Sequence, residues 1–179
     1  AKELNEDKPV FRNSIYCQCF CNALNSPCKK MKFGAVLVSD LCDRNIRAAL
    51  ETIESFGYNK TIEPLRSLCE PNCIRFRIPS RTESMIGACG HAEEFALLEA
   101  VKLGVSPSKC DLFVAGIYPN GLPYIKHEIE FTCLRCAVQI YNYEVRKVWV
   151  PTTKGWQSLT GEECVKTALP YATSEKKIL

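Results

Sequence analysis

The sequence predicts an α/β fold, a sheet covered by helices, and three observations predict it. Apolar residues recur at helical spacing in several stretches, short apolar or alternating runs of strand type fall between them, and Gly, Pro and Asn punctuate the joins. The resulting order alternates helix and strand along the chain. With 179 residues, 46% hydrophobic and 24% charged, one domain over residues 1–179 with a sizeable core is expected.

Each element has its own warrant. Asp7 and Pro9 mark a helix start. Phe11, Ile15, Cys19 or Phe20, and Leu24 then follow at helical intervals, and Asn25-Ser26-Pro27 ends the run. Cys17 and Cys21 share a face of that helix and read as buried thiols. Phe33–Val38 is a short apolar run, the pattern of a strand buried on both faces. Ile46, Leu50 and Ile53 predict a helix over Asp43–Phe56, with Gly57 as its cap. Cys73–Ile78 alternates Ile74, Phe76 and Ile78 against Arg75 and Arg77, which predicts a strand. A helix from His91 to Leu103 places Phe95, Leu98 and Val101 or Lys102 on one face and stops at Gly104. Lys109–Ile117 reads as a strand, with a turn at Pro119-Asn120-Gly121. Strand-like Glu128–Thr132 leads into a helix from Cys133 to Tyr141. Arg146–Val150 is a further strand, stopped by Pro151. The last helix, Thr160 to about Tyr171, opens on Thr160 and Glu163, a capping-box pair.

The chemistry concentrates in two of these joins. One holds Cys89-Gly90-His91-Ala92-Glu93-Glu94, and 42 residues beyond His91 comes Cys133-Leu134-Arg135-Cys136. A neutral imidazole and two thiolates fill three tetrahedral positions of zinc and leave the fourth open, the pattern of a catalytic site. Glu93 would stand beside that open position as an unligated carboxylate. Both half-sites fall at helix N-termini, where partial positive charge favours the thiolate. Histidine, a glutamate two residues later and a downstream C-x-x-C form the signature of zinc nucleobase deaminases. A structural zinc, or two buried cysteines and a core histidine, are the plainer readings of the same residues.

These motifs and the element order resemble the cytidine deaminase-like superfamily, and most nearly the deoxycytidylate (dCMP) deaminases. Ser26-Pro27-Cys28 before Gly34-Ala35-Val36-Leu37-Val38, and the Gly57-Tyr58-Asn59 turn, add to the resemblance. Three features depart from it. Thr132 stands where the family has Pro, Phe95 where it has Asn, and Tyr118–Phe131 is unusually long. The resemblance implies a three-layer α-β-α sandwich with a mixed central sheet, a homo-oligomer, and substrate contact by Asn59. It also implies a second, structural zinc held by Cys28 and Cys89, to which the ligand-like pair Cys69 and Cys73 would add two thiolates. Isolated buried thiols are the alternative.

The expected function is zinc-dependent hydrolytic deamination of a cytosine nucleotide to the uracil nucleotide and ammonia, with Glu93 as base and then acid. Deamination of a nucleoside, a purine base or an RNA base is the first alternative, and a zinc-bearing binding protein without turnover the second. Arg75, Arg77 and Arg81 are candidate phosphate contacts, against an ordinary solvated face. Lys29, Lys30 and Lys32 read as solvent-facing. A net charge of +3 gives no concentrated basic face, so a small nucleotide is expected rather than a polynucleotide. No apolar run is long enough for a membrane span and no leader pattern opens the chain. Twelve cysteines without such a leader point to a reducing, cytoplasmic setting.

Overall fold

The computed structural model describes residues 15–39, 53–77 and 88–174. In its main sheet β1 (Lys32–Ser39) is flanked by β2 (Ile53–Tyr58) and β5 (Cys110–Ile117), both antiparallel to it. β7 (Lys147–Thr152) runs parallel to β5, and β8 (Gly155–Leu159) pairs antiparallel with β7. The sheet order is therefore β2-β1-β5-β7-β8, mixed in sense, with β6 (Pro123–Tyr124) paired to the end of β5. β3 (Lys60–Thr61) and β4 (Cys89–Gly90) form a small separate ribbon.

Strand alternation divides the core into two halves. On one face Val36, Val38, Phe113 and Ala115 pack with Trp149, Trp156 and the helix α1 (Ile15–Leu24). On the other, Ala35, Leu37, Leu112 and Val114 pack under α2 (Ala92–Lys102), α3 (Leu134–Asn142) and α4 (Gly161–Ser174). The result is a three-layer α-β-α sandwich. β1 and β5 carry both halves at once, which is why their sequences are continuously apolar rather than alternating. Among the described residues no helix is long and apolar enough to cross a membrane.

Several expectations hold closely. The capping box that opens α4 forms as predicted, with Thr160 N–H donating to Glu163 Oε2 at 2.8 Å and Glu163 N–H to Thr160 Oγ1 at 3.2 Å. Gly104, at φ +76°, follows α2 in the left-handed conformation that suits glycine.

Others are corrected. Residues 53–56 of the predicted Asp43–Phe56 helix belong to strand β2, while the earlier part lies outside the described residues. The inward positions of β2 are the small Ser55 and Gly57, and Phe56 faces out, so apolar counting inverts the pattern. Small residues are needed there because α2 lies almost on the strand. A Cβ on Gly57 would sit 2.1 Å from the Ala92 carbonyl oxygen, and Ser55 Oγ donates to the Ala96 carbonyl at 2.7 Å. The buried stripe of α2 is accordingly Ala92, Glu93, Ala96, Leu97 and Ala100, while Leu98 and Val101 are exposed. In α1 the buried side chains are Ile15, Cys19 and Ala23, with Cys21 and Leu24 exposed.

The predicted strand at Cys73–Ile78 is a 3-10 turn over Ile74–Arg77, and Ile78 lies outside the described residues. Among the described residues no strand pairs with this segment, and Phe76 is exposed. Glu128–Thr132 is irregular rather than strand-like. Pro151 does not stop β7, which runs through it to Thr152 and turns into β8.

Candidate metal centre and active site

The two half-sites meet where α2 and α3 begin. His91 is the N-cap of α2 and Cys133 the N-cap of α3, so these two side chains leave the chain just before a helix. His91 Nδ1 lies 3.1 Å from Cys136 Sγ and 3.3 Å from Cys133 Sγ. Cys133 Sγ also accepts the Cys136 backbone N–H at 3.4 Å. The three donor atoms all lie within 4.8 Å of one another. One imidazole nitrogen and two sulfurs converging on three corners, with the fourth side facing a cavity, is a donor set that fits zinc.

The electrostatics of the thiol pair are uneven. The hydrogen bond from Cys136, with those from the His91 ring and the Cys136 N–H, holds the Cys133 thiol down to about 4 against its burial. The same Cys133 sulfur, together with burial, pushes Cys136 well above the usual thiol value. Burial opposes a charge on His91, but hydrogen bonding and attraction to Cys133, with Glu93 nearby, raise it on balance. Of the two thiols, Cys133 is therefore the one favoured as the thiolate.

Glu93, in the first turn of α2, is buried and lines the same cavity as His91 and Cys133. Burial raises its pKa, partly offset by His91. Burial thus opposes its charged form, the condition of a carboxyl that can hold a proton as well as give one up.

The cavity has a volume of about 410 Å³, in the range that holds a small organic ligand. Phe33, Tyr124 and Phe131 supply aromatic wall, with the Phe33 and Tyr124 rings edge-on at 6.1 Å. Its cationic lining is Lys30, Arg75 and Lys126. Lys30 is thus partly buried against the cavity rather than solvent-facing, and donates to the Arg75 carbonyl at 3.3 Å. Arg77 is exposed, and Arg81 lies outside the described residues.

Asn59 lines the cavity but is engaged by the backbone. Its Oδ1 accepts from Phe33 N–H at 2.7 Å and its Nδ2 donates to the Met31 carbonyl at 2.8 Å. It clamps the entry to β1 through both ends of its amide.

Sequence reasoning missed Tyr124 and Lys126. Both sit on the long segment after β5, pinned to β7 by Lys126 N–H to the Pro151 carbonyl at 3.3 Å and Thr153 N–H to the Lys126 carbonyl at 2.9 Å. No periodic signal marks such a segment. Tyr124 at the end of a turn was the one legible cue.

Cys28, Cys69, Cys73 and Cys89 come together around an adjoining recess of about 330 Å³. Thr61 Oγ1 stands 2.9 Å from Cys69 Sγ and 3.3 Å from Cys89 Sγ. Among the described residues no three of these four converge as tightly as His91, Cys133 and Cys136.

No protein-family model matches the sequence, and no curated protein matches it. Solved structures do. The apo dCMP deaminase of cyanophage S-TIM5 superposes with a TM-score of 0.51 at 21% identity, over 90% of this chain and 94% of that one. Its form with dCMP and dUMP gives 0.48 at 23%, over 81% and 83%. A mutant cytidine deaminase from Mycobacterium tuberculosis gives 0.44 at 13%, over 86% and 91%. At such identities a likeness speaks to architecture. With its mixed sheet between α1 and the α2-α3-α4 layer, the chain has a cytidine deaminase-like fold.

Proposed function

We propose that the protein is a zinc-dependent hydrolytic deaminase of a small cytosine nucleotide, dCMP or a close relative. The observation that carries this reading is the buried Glu93 sharing one cavity with the convergent His91, Cys133 and Cys136 donors. Zinc held by those three residues supplies a water of lowered pKa. Glu93 takes a proton from the attacking water and delivers it to the ring nitrogen of the cytosine. It then takes the proton of the hydroxyl added at C4 and passes it to the amine, so the C4–N bond breaks, ammonia leaves and the uracil carbonyl remains. One carboxylate serves as base and then acid because the steps are sequential. Phe33, Tyr124 and Phe131 exclude water and offer apolar surface to the base.

Among the described residues the cavity wall carries three cations and one buried carboxylate, which favours an anionic ligand, and Arg75, Lys30 and Lys126 are the groups for its phosphate. The S-TIM5 enzyme of similar fold is itself a dCMP deaminase. The four-cysteine recess supports a second, structural zinc bound by Cys28, Cys69, Cys73 and Cys89. Exposed Leu98, Val101 and Leu103 on and beside α2, with Val138 and Tyr141 on α3, support a homo-oligomer.

Ammonia release from zinc-loaded protein, measured across nucleobases, nucleosides, nucleotides and short RNA, is the test. Turnover highest on dCMP or another cytosine mononucleotide is expected. Turnover confined to a purine base, to nucleosides or to RNA overturns the substrate, and none on any compound overturns the deaminase.

A further inference from the structure

Between the two halves of the metal site lies a polar cluster that the chemistry above does not use. The Glu94 carboxylate accepts from the His91 backbone N–H at 2.7 Å and from Gln139 Nε2 at 2.9 Å. It also accepts from Arg135, through Nε at 2.7 Å and through Nη2. Arg135 Nη2 donates in addition to the Cys89 carbonyl at 3.1 Å. The fork is thus closed on Glu94 and on the strand that delivers His91.

The placement is specific. Glu94 sits in the first turn of α2 and fixes the backbone of the histidine, while Arg135 lies between the two cysteines at the start of α3. We propose that Glu94 and Arg135 are positioning residues, a strut that sets the distance between His91 and the Cys133/Cys136 pair before metal arrives. It rests on the metal reading of the site and not on the identity of the substrate.

An exposed ion pair of this kind would contribute little. This one is sheltered, with side chains 17% exposed at Glu94 and 35% at Arg135. Its geometry is bidentate, the form in which Arg gives direction as well as attraction. Groups that orient ligands through one hydrogen bond usually change metal affinity by about 10–100-fold when removed. Here the thing oriented is the ligands' mutual spacing, since one end holds the His91 backbone and the other the loop of the thiolates.

Cobalt(II) titrated into the apo full chain tests this, reading both the dissociation constant and the d–d absorption bands. Glu94→Gln keeps the shape but loses the charge and an acceptor, and Arg135→Met loses the fork. Each should weaken cobalt binding by about 10–100-fold and shift the bands, at wild-type far-UV circular dichroism. The double variant should be no weaker than about the more severe single one, because the two act as a unit. Arg135→Lys keeps the charge without the fork, should fall between, and carries the test if the other variants do not fold. Wild-type affinity and bands in the folded variants, or losses that simply add, overturn the strut. A wild-type chain that takes up no cobalt overturns the metal reading itself and the strut with it, so the two failures are distinct.

Discussion

His91 Nδ1 lies 3.1 Å from Cys136 Sγ, although 45 positions separate the two residues along the chain. Their approach needs both helix starts in place at once, so the site is a property of the packed sheet-and-helix core rather than of either motif.

Metal uptake should depend on pH with a definite sign. Cys133, held down to about 4, is already a thiolate at neutral pH, whereas Cys136 is pushed up and keeps its proton. Binding must displace that proton, so zinc affinity should rise by at least roughly tenfold per pH unit through neutrality. Below the raised His91 pKa a second proton is displaced and the slope steepens. Competition titrations against a chromophoric chelator at several pH values check this, and a flat profile contradicts it.

Gly57→Ala should destabilise the fold and reduce activity together. The added Cβ meets the Ala92 carbonyl oxygen at 2.1 Å and the Ala96 nitrogen at 2.5 Å, both backbone. Helix α2 must move off β2, at a cost of about 1–3 kcal/mol or more, and it takes Glu93 with it. Denaturant unfolding gives the cost. A change within about 0.5 kcal/mol, the ordinary surface level, would mean the helix is not packed so closely.

That glycine also explains what was legible in the sequence. His91, Glu93, Cys133 and Cys136 announce themselves by fixed local spacing, because metal chemistry demands residue types at set offsets. The continuous apolar runs of β1 and β5 are equally plain. β2 was hidden because close packing put Ser55 and Gly57 inward and Phe56 outward, reversing the usual hydrophobic signal. The alternation of Ile74 and Phe76 mimics a strand, yet these residues form a 3-10 turn that pairs with no strand among the described residues. Lys126 and Glu94 gave no periodic cue, since their roles come from contacts made only in the folded chain.

Lys126→Met should raise KM for a cytosine nucleotide by about tenfold or more and leave kcat little changed. Phosphate binding is shared by ground and transition states, so its loss falls on KM. The matching nucleoside should be processed as before, having no phosphate to lose. Equal effects on nucleotide and nucleoside would remove Lys126 from phosphate recognition.

Fully loaded, reduced protein should contain two zinc per chain if Cys28, Cys69, Cys73 and Cys89 close a second site, counted as about four thiolates. Cys69→Ser should then release one metal, leaving the His91 site filled. Elemental analysis giving one zinc in the wild type would exclude the second site.

If Glu93 carries the protons of a zinc deaminase, Glu93→Gln should separate metal binding from turnover. The variant keeps His91, Cys133 and Cys136, so it should load with zinc and unfold like the wild type. Its rate of ammonia release from dCMP, measured on metal-loaded protein, should fall by at least ~10²-fold, the lower end of general acid–base catalysis. Wild-type release of ammonia from zinc-loaded Glu93→Gln protein would contradict the account.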